Sequence, residues 1–156
     1  MKAELVAICM GTVALALILG ALFFQYALGY PPCEMCHWQR WPHIAAAVVG
    51  LVGGVLLRSG ALKSALATPL AVLAILLVAV SGVLGVYHAG VEWRWWPGPA
   101  ACTTGFVFNG TLDLNARVPM CDRAAWRLFA ISMAGYNAII SLGAAALGSF
   151  LLVHKS

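Results

Sequence analysis

Four stretches of this sequence run on without a charged side chain: Leu5–Tyr30, Trp41–Leu57, Ala65–Ala89 and Leu128–Val153. Trp41–Leu57 has 17 residues, the short limit for a helix that crosses a bilayer, and the others are longer. Each is rich in Ala, Leu and Val, with no polar face that would suit a water-facing amphipathic helix. No ten-residue segments alternate as a transmembrane barrel requires. The chain is therefore expected to be one integral membrane domain over residues 1–156, an all-α bundle with spans at about 5–29, 41–57, 66–88 and 127–153.

Composition excludes the other classes. Apolar residues make up 63%, charged residues only 9%, and mean hydropathy is +0.93. A soluble domain keeps about a quarter of its residues charged, and a disordered chain has low hydrophobicity. The net charge of +4 is scattered between apolar blocks and forms no stripe that would track nucleic acid. The first apolar run is about twice the length of a signal peptide's, so it is expected to be retained as a helix.

Four crossings put both termini on one side. That side carries Lys2, Arg58, Lys63 and Lys155 in 15 residues, against Arg40, Arg94, Arg117, Arg123 and Arg127 in 53 on the other. The positive-inside rule then places the termini in the cytoplasm. Trp38, Trp41, Trp93, Trp95, Trp96 and Trp126 fall near span ends, where an aromatic belt is expected. Small-residue pairs at Gly50/Gly54, Ser81/Gly85 and Ala144/Gly148 allow close helix contacts.

The five cysteines divide unevenly. Cys9 lies within the first span and is expected to be a small buried filler. The other four fall in the two outer loops, as disulfides on an oxidising face require. Cys33 and Cys36 form a C-x-x-C at the entry to the second span. Closing so small a ring restricts an unfolded chain little, while a helix start favours thiolate, so redox chemistry is preferred over metal binding or a static bridge. Cys102 and Cys121 enclose 18 residues. They are read either as a structural disulfide worth about 3 kcal/mol or as an exposed redox bridge in a flexible loop.

Several polar residues accompany them. Arg40, four residues after Cys36, is either a snorkelling topology charge or a cation for a thiolate or the head of a lipid-soluble acceptor. Cys36 lies on a continuous helix with Arg40, or in the loop above a helix that starts near Trp41 with Pro42 in its first turn. His88 closes the third span, as an interfacial residue or as one that binds a quinone carbonyl or moves a proton. His37 and His43 flank the C-x-x-C without a ranked role. Asn109-Gly110-Thr111 reads as a turn rather than a glycosylation acceptor.

Taken together, the strings Cys33-Glu-Met-Cys-His-Trp-Gln-Arg40 and Cys121-Asp-Arg-Ala-Ala-Trp126 within four spans resemble the bacterial disulfide bond formation protein B family over almost the whole chain. The resemblance implies an all-α, four-transmembrane-helix bundle with two redox-active cysteine loops on the periplasmic side. It implies a multi-pass protein of the bacterial inner membrane, a protein-disulfide:quinone oxidoreductase. Such a protein reoxidises a periplasmic, thioredoxin-like DsbA-type partner and passes electrons to ubiquinone or menaquinone. By position, Cys102 would meet the partner's thiolate, Cys121 would be its pair, Cys33 would relay with Cys121, and Cys36 would face the quinone. Arg40, His88 and Met133 would be the quinone-site residues. The second-loop cysteines stand closer together here than in the best-known members. No metal ligand set is implied. The competing readings are a vitamin K epoxide reductase-like enzyme, disfavoured by chain order, a soft-metal membrane protein using Cys33, Cys36 and His37, and a purely structural bundle stapled by disulfides.

Overall fold

Within lipid every backbone N–H and C=O must find a partner inside its own segment, so apolar runs of this length resolve as helices. The computed structural model describes residues 3–103 and 120–154. Four long helices result: α1 (Ala3–Tyr26), α2 (Glu34–Arg58), α3 (Ala67–Glu92) and α4 (Met133–His154). Each is long and apolar enough to cross a membrane, so the chain is a multi-pass membrane protein. Helix α3 packs against all three others, most extensively against α4.

Small residues bring the backbones together. A Cβ on Gly50 would collide with the Ala7 carbonyl and Gly11 of α1, and one on Gly85 would lie 2.9 Å from the Ala134 carbonyl of α4. Close approach of this kind replaces the hydrophobic drive that lipid cannot supply. Gly50 lies within a π-helical stretch, Val48–Val52, that interrupts α2. Pro42 withholds one backbone donor, yet the helix runs through it.

Two boundaries differ from the sequence-based expectation. Helix α2 begins at Glu34, well before Trp41, which decides between the two placements of Cys36 in favour of the first helical turn. Helix α4 begins at Met133 rather than near Arg127. Residues Arg127–Leu128 (β1) and Ile131–Ser132 (β2) pair as an antiparallel hairpin, and Phe129 and Ala130 at its tip take positive φ. The Ser132 hydroxyl then accepts from the Gly135 amide at 3.2 Å and caps α4.

The spans also carry polar side chains turned inward. Gln39, His43, Ser81, His88, Glu92 and Ser141 are buried, while Leu19, Phe23, Leu76, Ile139 and Phe150 face outward. Cys9 corrects a further expectation: it is exposed on the outer side of α1 and fills no core position.

Candidate active site

The Pro31-Pro32 pair holds the chain extended into Cys33, which sits at the N-cap of α2 with φ −83° and ψ 172°. The Cys36 amide donates to Cys33 Sγ at 3.2 Å, so a thiol sulfur takes the place usually held by a Ser or Asp oxygen. The two sulfurs are unbonded and 2.8 Å apart. The Cys33 thiol is pushed above its ordinary pKa, first by the hydrogen bond it shares with Cys36 and then by burial.

Cys102 and Cys121 are joined as a disulfide, with Cα atoms 5.4 Å apart. Cys102 belongs to a single helical turn, Ala100–Thr103, and the Cys121 amide donates to its carbonyl at 2.9 Å. The bridge is buried rather than exposed: Cys102 is 9% and Cys121 0% accessible. Cys121 Sγ, Cys33 Sγ and a ring nitrogen of His88 lie within 4.8 Å of one another. Four sulfurs thus stand in a row, Cys102, Cys121, Cys33 and Cys36. A metal could suit the Cys33, His88 and Cys121 spacing, but the Cys121 sulfur is spent in the disulfide, which leaves two donors.

His88 Nε2 lies 3.6 Å from Cys33 Sγ and 3.7 Å from a Glu92 carboxylate oxygen. Its Nδ1 receives a hydrogen bond of 2.8 Å from the Gln39 amide nitrogen, which also donates to the Met35 carbonyl at 3.1 Å. An amide nitrogen only donates, so Nδ1 is the acceptor and Nε2 carries the proton toward Cys33. Asn137 Nδ2 in turn donates to Gln39 Oε1 at 2.8 Å and to the Ser81 carbonyl at 3.1 Å. Asn137 Oδ1 faces His43 Nε2 at 2.8 Å and accepts from the Ser141 hydroxyl at 2.9 Å. The polar chain joins α2, α3 and α4 at membrane depth.

Cys36 opens on a groove of about 630 Å³ lined by α1, α2 and α4, with His88 and Glu92 of α3. Its wall includes Phe24, Trp126 and Met133, and its polar positions include Arg40, His43, His88, Glu92 and Asn137. Arg40 reaches across to α1, where Nη1 donates to Gln25 Oε1 at 2.6 Å. Trp126 packs on Phe24 with ring centroids 4.9 Å apart, so it closes the groove as well as serving any interfacial belt.

The structure thus gathers Cys33, Cys36, Arg40, His88 and Met133 at the groove, with Cys121 and Cys102 behind Cys33. His37 is exposed on α2 and lies outside the Cys33, His88 and Cys121 group whose donor atoms converge. His43, unranked from sequence, is buried in the polar chain. Asn109, Gly110, Thr111 and Arg117 lie outside the described residues. Sequence reasoning missed Gln39, Ser81, Glu92, Asn137 and Ser141. For all but Ser81 the signal was spacing: Gln39/His43, His88/Glu92 and Asn137/Ser141 are each four apart, hence on one helix face within an otherwise apolar span.

A four-helix membrane protein with a buried row of two cysteine pairs ending at an apolar groove defines a membrane-embedded thiol oxidase. The family described as "Disulfide bond formation protein DsbB" matches residues 3–151. The chain belongs to that family. It is 26% identical over 149 residues to a disulfide bond formation protein B of Polaromonas sp. strain JS666, covering 89% of this chain and 84% of the relative. The corresponding protein of Aeromonas hydrophila is 30% identical over 130 residues, 77% and 70% of the two chains. That of Dechloromonas aromatica is 29% identical over 160 residues, 94% and 87%. No solved structure matches the chain.

Proposed function

We propose that this thiol oxidase reoxidises a periplasmic, thioredoxin-like DsbA-type protein and passes the electrons to ubiquinone or menaquinone in a bacterial inner membrane, with both termini cytoplasmic. One observation carries the reading: the sulfur row runs from a disulfide, through Cys33, to a Cys36 that opens on the groove beside Arg40.

The partner's thiolate attacks Cys102 Sγ, the Cys102–Cys121 bond breaks, and Cys121 leaves as thiolate. The partner's second thiol displaces Cys102, so the partner departs oxidised and Cys102 and Cys121 hold two electrons. With Cys33 and Cys36 bonded to each other, the Cys121 thiolate attacks Cys33 and Cys36 leaves as thiolate. Cys102 then displaces Cys33 from Cys121. This restores the Cys102–Cys121 disulfide and leaves Cys33 and Cys36 reduced, the arrangement described here. His88 Nε2–H, aimed at Cys33, stabilises its sulfur whenever it leaves as thiolate. The Arg40 guanidinium favours negative charge at Cys36 and at a bound oxygen.

A quinone supplies a two-electron, two-proton acceptor for the Cys33–Cys36 pair. The groove fits such a group. Its wall is largely apolar, its volume is in the range of small-molecule sites, and the Arg40 guanidinium belongs to its lining. Arg40 would hold the polar head, with His88 beside it acting on the Cys33 sulfur, and Met133 would pack against the ring. The decisive experiment supplies purified protein with a reduced thioredoxin-like donor and follows quinone reduction. Turnover that needs Cys33, Cys36, Cys102 and Cys121 is expected. Donor oxidation without quinone reduction would sink the reading. Cysteines introduced at Ser59 and Ser156 should label from the cytoplasm and one at Thr111 from outside. Labelling of Ser59 from outside would reverse the orientation.

A further inference from the structure

Glu92 is a carboxylate that the sulfur relay leaves unused. It ends α3, four residues after His88, and is 9% exposed. Its Oε1 lies 3.7 Å from His88 Nε2, and its Oε2 is buried without a hydrogen-bond partner among the described residues. Among those residues it is the one carboxylate in the lining that also holds Cys33 and Cys36. His88 Nε2 stands 3.6 Å from Cys33 Sγ, so sulfur and carboxylate are no further apart than these two contacts laid end to end. The Gln39 amide fixes Nδ1 as an acceptor, so the ring is neutral and has a single proton to offer both. The other ionisable groups around Glu92 are Cys36 and Arg40 in the first turns of α2, Arg123 in the groove lining, and Arg127 on the hairpin, where the Ser132 hydroxyl also acts on it.

We propose that Glu92 takes up a proton when the Cys33–Cys36 pair is reduced and releases it when the pair is reoxidised, holding one of the two protons that travel with the electron pair. The inference rests on the reading of Cys33 and Cys36 as the pair that passes electrons to a carrier, and adds a proton store to it. A thiolate formed beside an ionised carboxylate in a buried site drives one of the two to bind a proton. Arg40 favours the charge on Cys36, which leaves the proton to Glu92. The C-terminal end of α3 also opposes a negative charge there. A donor dithiol releases two protons and two electrons as its sulfurs bond to each other. The electrons break the Cys33–Cys36 bond, one proton becomes the Cys33 thiol hydrogen, Cys36 remains a thiolate, and Glu92 binds the second proton. When Cys33 and Cys36 bond again, the electron pair and both protons leave with the carrier as hydroquinone, and Glu92 is a carboxylate once more.

The test poises purified full-length protein in dithiothreitol buffers without quinone and records infrared spectra of reduced minus oxidised protein. The expected result is a new protonated-carboxyl band that moves on carbon-13 labelling of glutamate and is missing in Glu92→Gln. The proton count is read independently from pH, with Cys33–Cys36 isolated by Cys102→Ser and Cys121→Ser. Dithiothreitol binds two protons on reduction below the ordinary thiol pKa of about 8.5, so its equilibrium with the pair should hardly depend on pH there. In Glu92→Gln the equilibrium should move about tenfold toward reduced protein per unit rise in pH, equivalent to about 30 mV for a two-electron couple. A band that is absent, or that survives Glu92→Gln, overturns the inference alone. So does a pH dependence already present with Glu92 or unchanged by its removal. The labelled band needs no core substitution, so its absence overturns the inference whether or not the Gln variant folds. A Cys33–Cys36 pair that takes no electrons from the dithiol overturns the relay reading and this inference with it.

Discussion

The two cysteine pairs are held in opposite ways. Cys33 and Cys36 are unbonded and fixed by the first turn of α2, with an N-cap, a shared hydrogen bond and His88 against Cys33. Cys102 and Cys121 are bonded to each other, and the one backbone hydrogen bond described between them joins the Cys121 amide to the Cys102 carbonyl. A helix start can keep a dithiol poised without a covalent bond, because the turn already sets its geometry. A loop pair depends on the disulfide to hold its two ends. The fixed pair is thus suited to meet a small acceptor in a shaped groove, and the loop pair to meet a macromolecule.

Cysteine substitution should break this comparison most severely. Cys36→Ser and Cys121→Ser should each reduce turnover with donor and quinone to background, because the row has no alternative sulfur. They should fail differently: Cys121→Ser should lose exchange with the soluble dithiol, and Cys36→Ser should lose quinone reduction. Mass spectrometry of trapped mixed disulfides would separate the two. A common failure step would mean the pairs are not successive.

Arg40→Ala comes next. It should slow quinone reduction roughly tenfold or more, since one pKa unit at a thiol corresponds to about 1.4 kcal/mol. Arg40→Lys should recover part of this, because an ammonium lacks the planar fork. Single-turnover exchange at Cys102 should persist in both, being remote from the groove. Wild-type quinone kinetics in Arg40→Ala would return Arg40 to a topology charge.

Gln39→Leu sharpens the account of the fixed pair. It leaves His88 Nδ1 without a partner and the Asn137 amide with only its bonds to Ser81, at about 1–3 kcal/mol for a buried polar group. A lower unfolding temperature in detergent and slower reduction of Cys33–Cys36 are expected together. Loss of stability with normal Cys33 chemistry would show that Gln39 only braces the helices.

The pH dependence of Cys33 is a milder test. Its thiol is held protonated by the bond to Cys36 and by burial, and thiolate is the form that reacts. Alkylation of Cys33 should keep rising with pH beyond the point where an ordinary thiol levels off. Cys36→Ser should shift the curve toward lower pH. A profile unchanged by that substitution would remove Cys36 as the cause. Smallest of all, Cys9→Ala should retain most turnover, since Cys9 faces outward on α1.

Much of this protein was legible in order along the chain. Uncharged runs of bilayer-spanning length are ill suited to water, so the four spans followed from the sequence alone. The motif from Cys33 to Arg40 and the loop pair Cys102 and Cys121 marked the chemistry. The ends of α2 and α4 were not legible. Glu34 is charged and Pro42 is a helix breaker by habit, yet the Cys33 cap starts the helix before both, and the Phe129–Ala130 turn delays α4 to Met133.

What only the tertiary structure decided is which distant residues meet. Gln39 and His88 are 49 positions apart, and His43 and Asn137 are 94 apart. Spacing within one helix gives a face but not its neighbour. The neighbours follow from where small residues let backbones approach, at Gly50 against α1 and Gly85 against α4. Those contacts rotate the polar faces of α2, α3 and α4 onto one another, away from lipid. Each buried amide then has to match donor to acceptor, and that requirement sets the proton positions on His88 and His43.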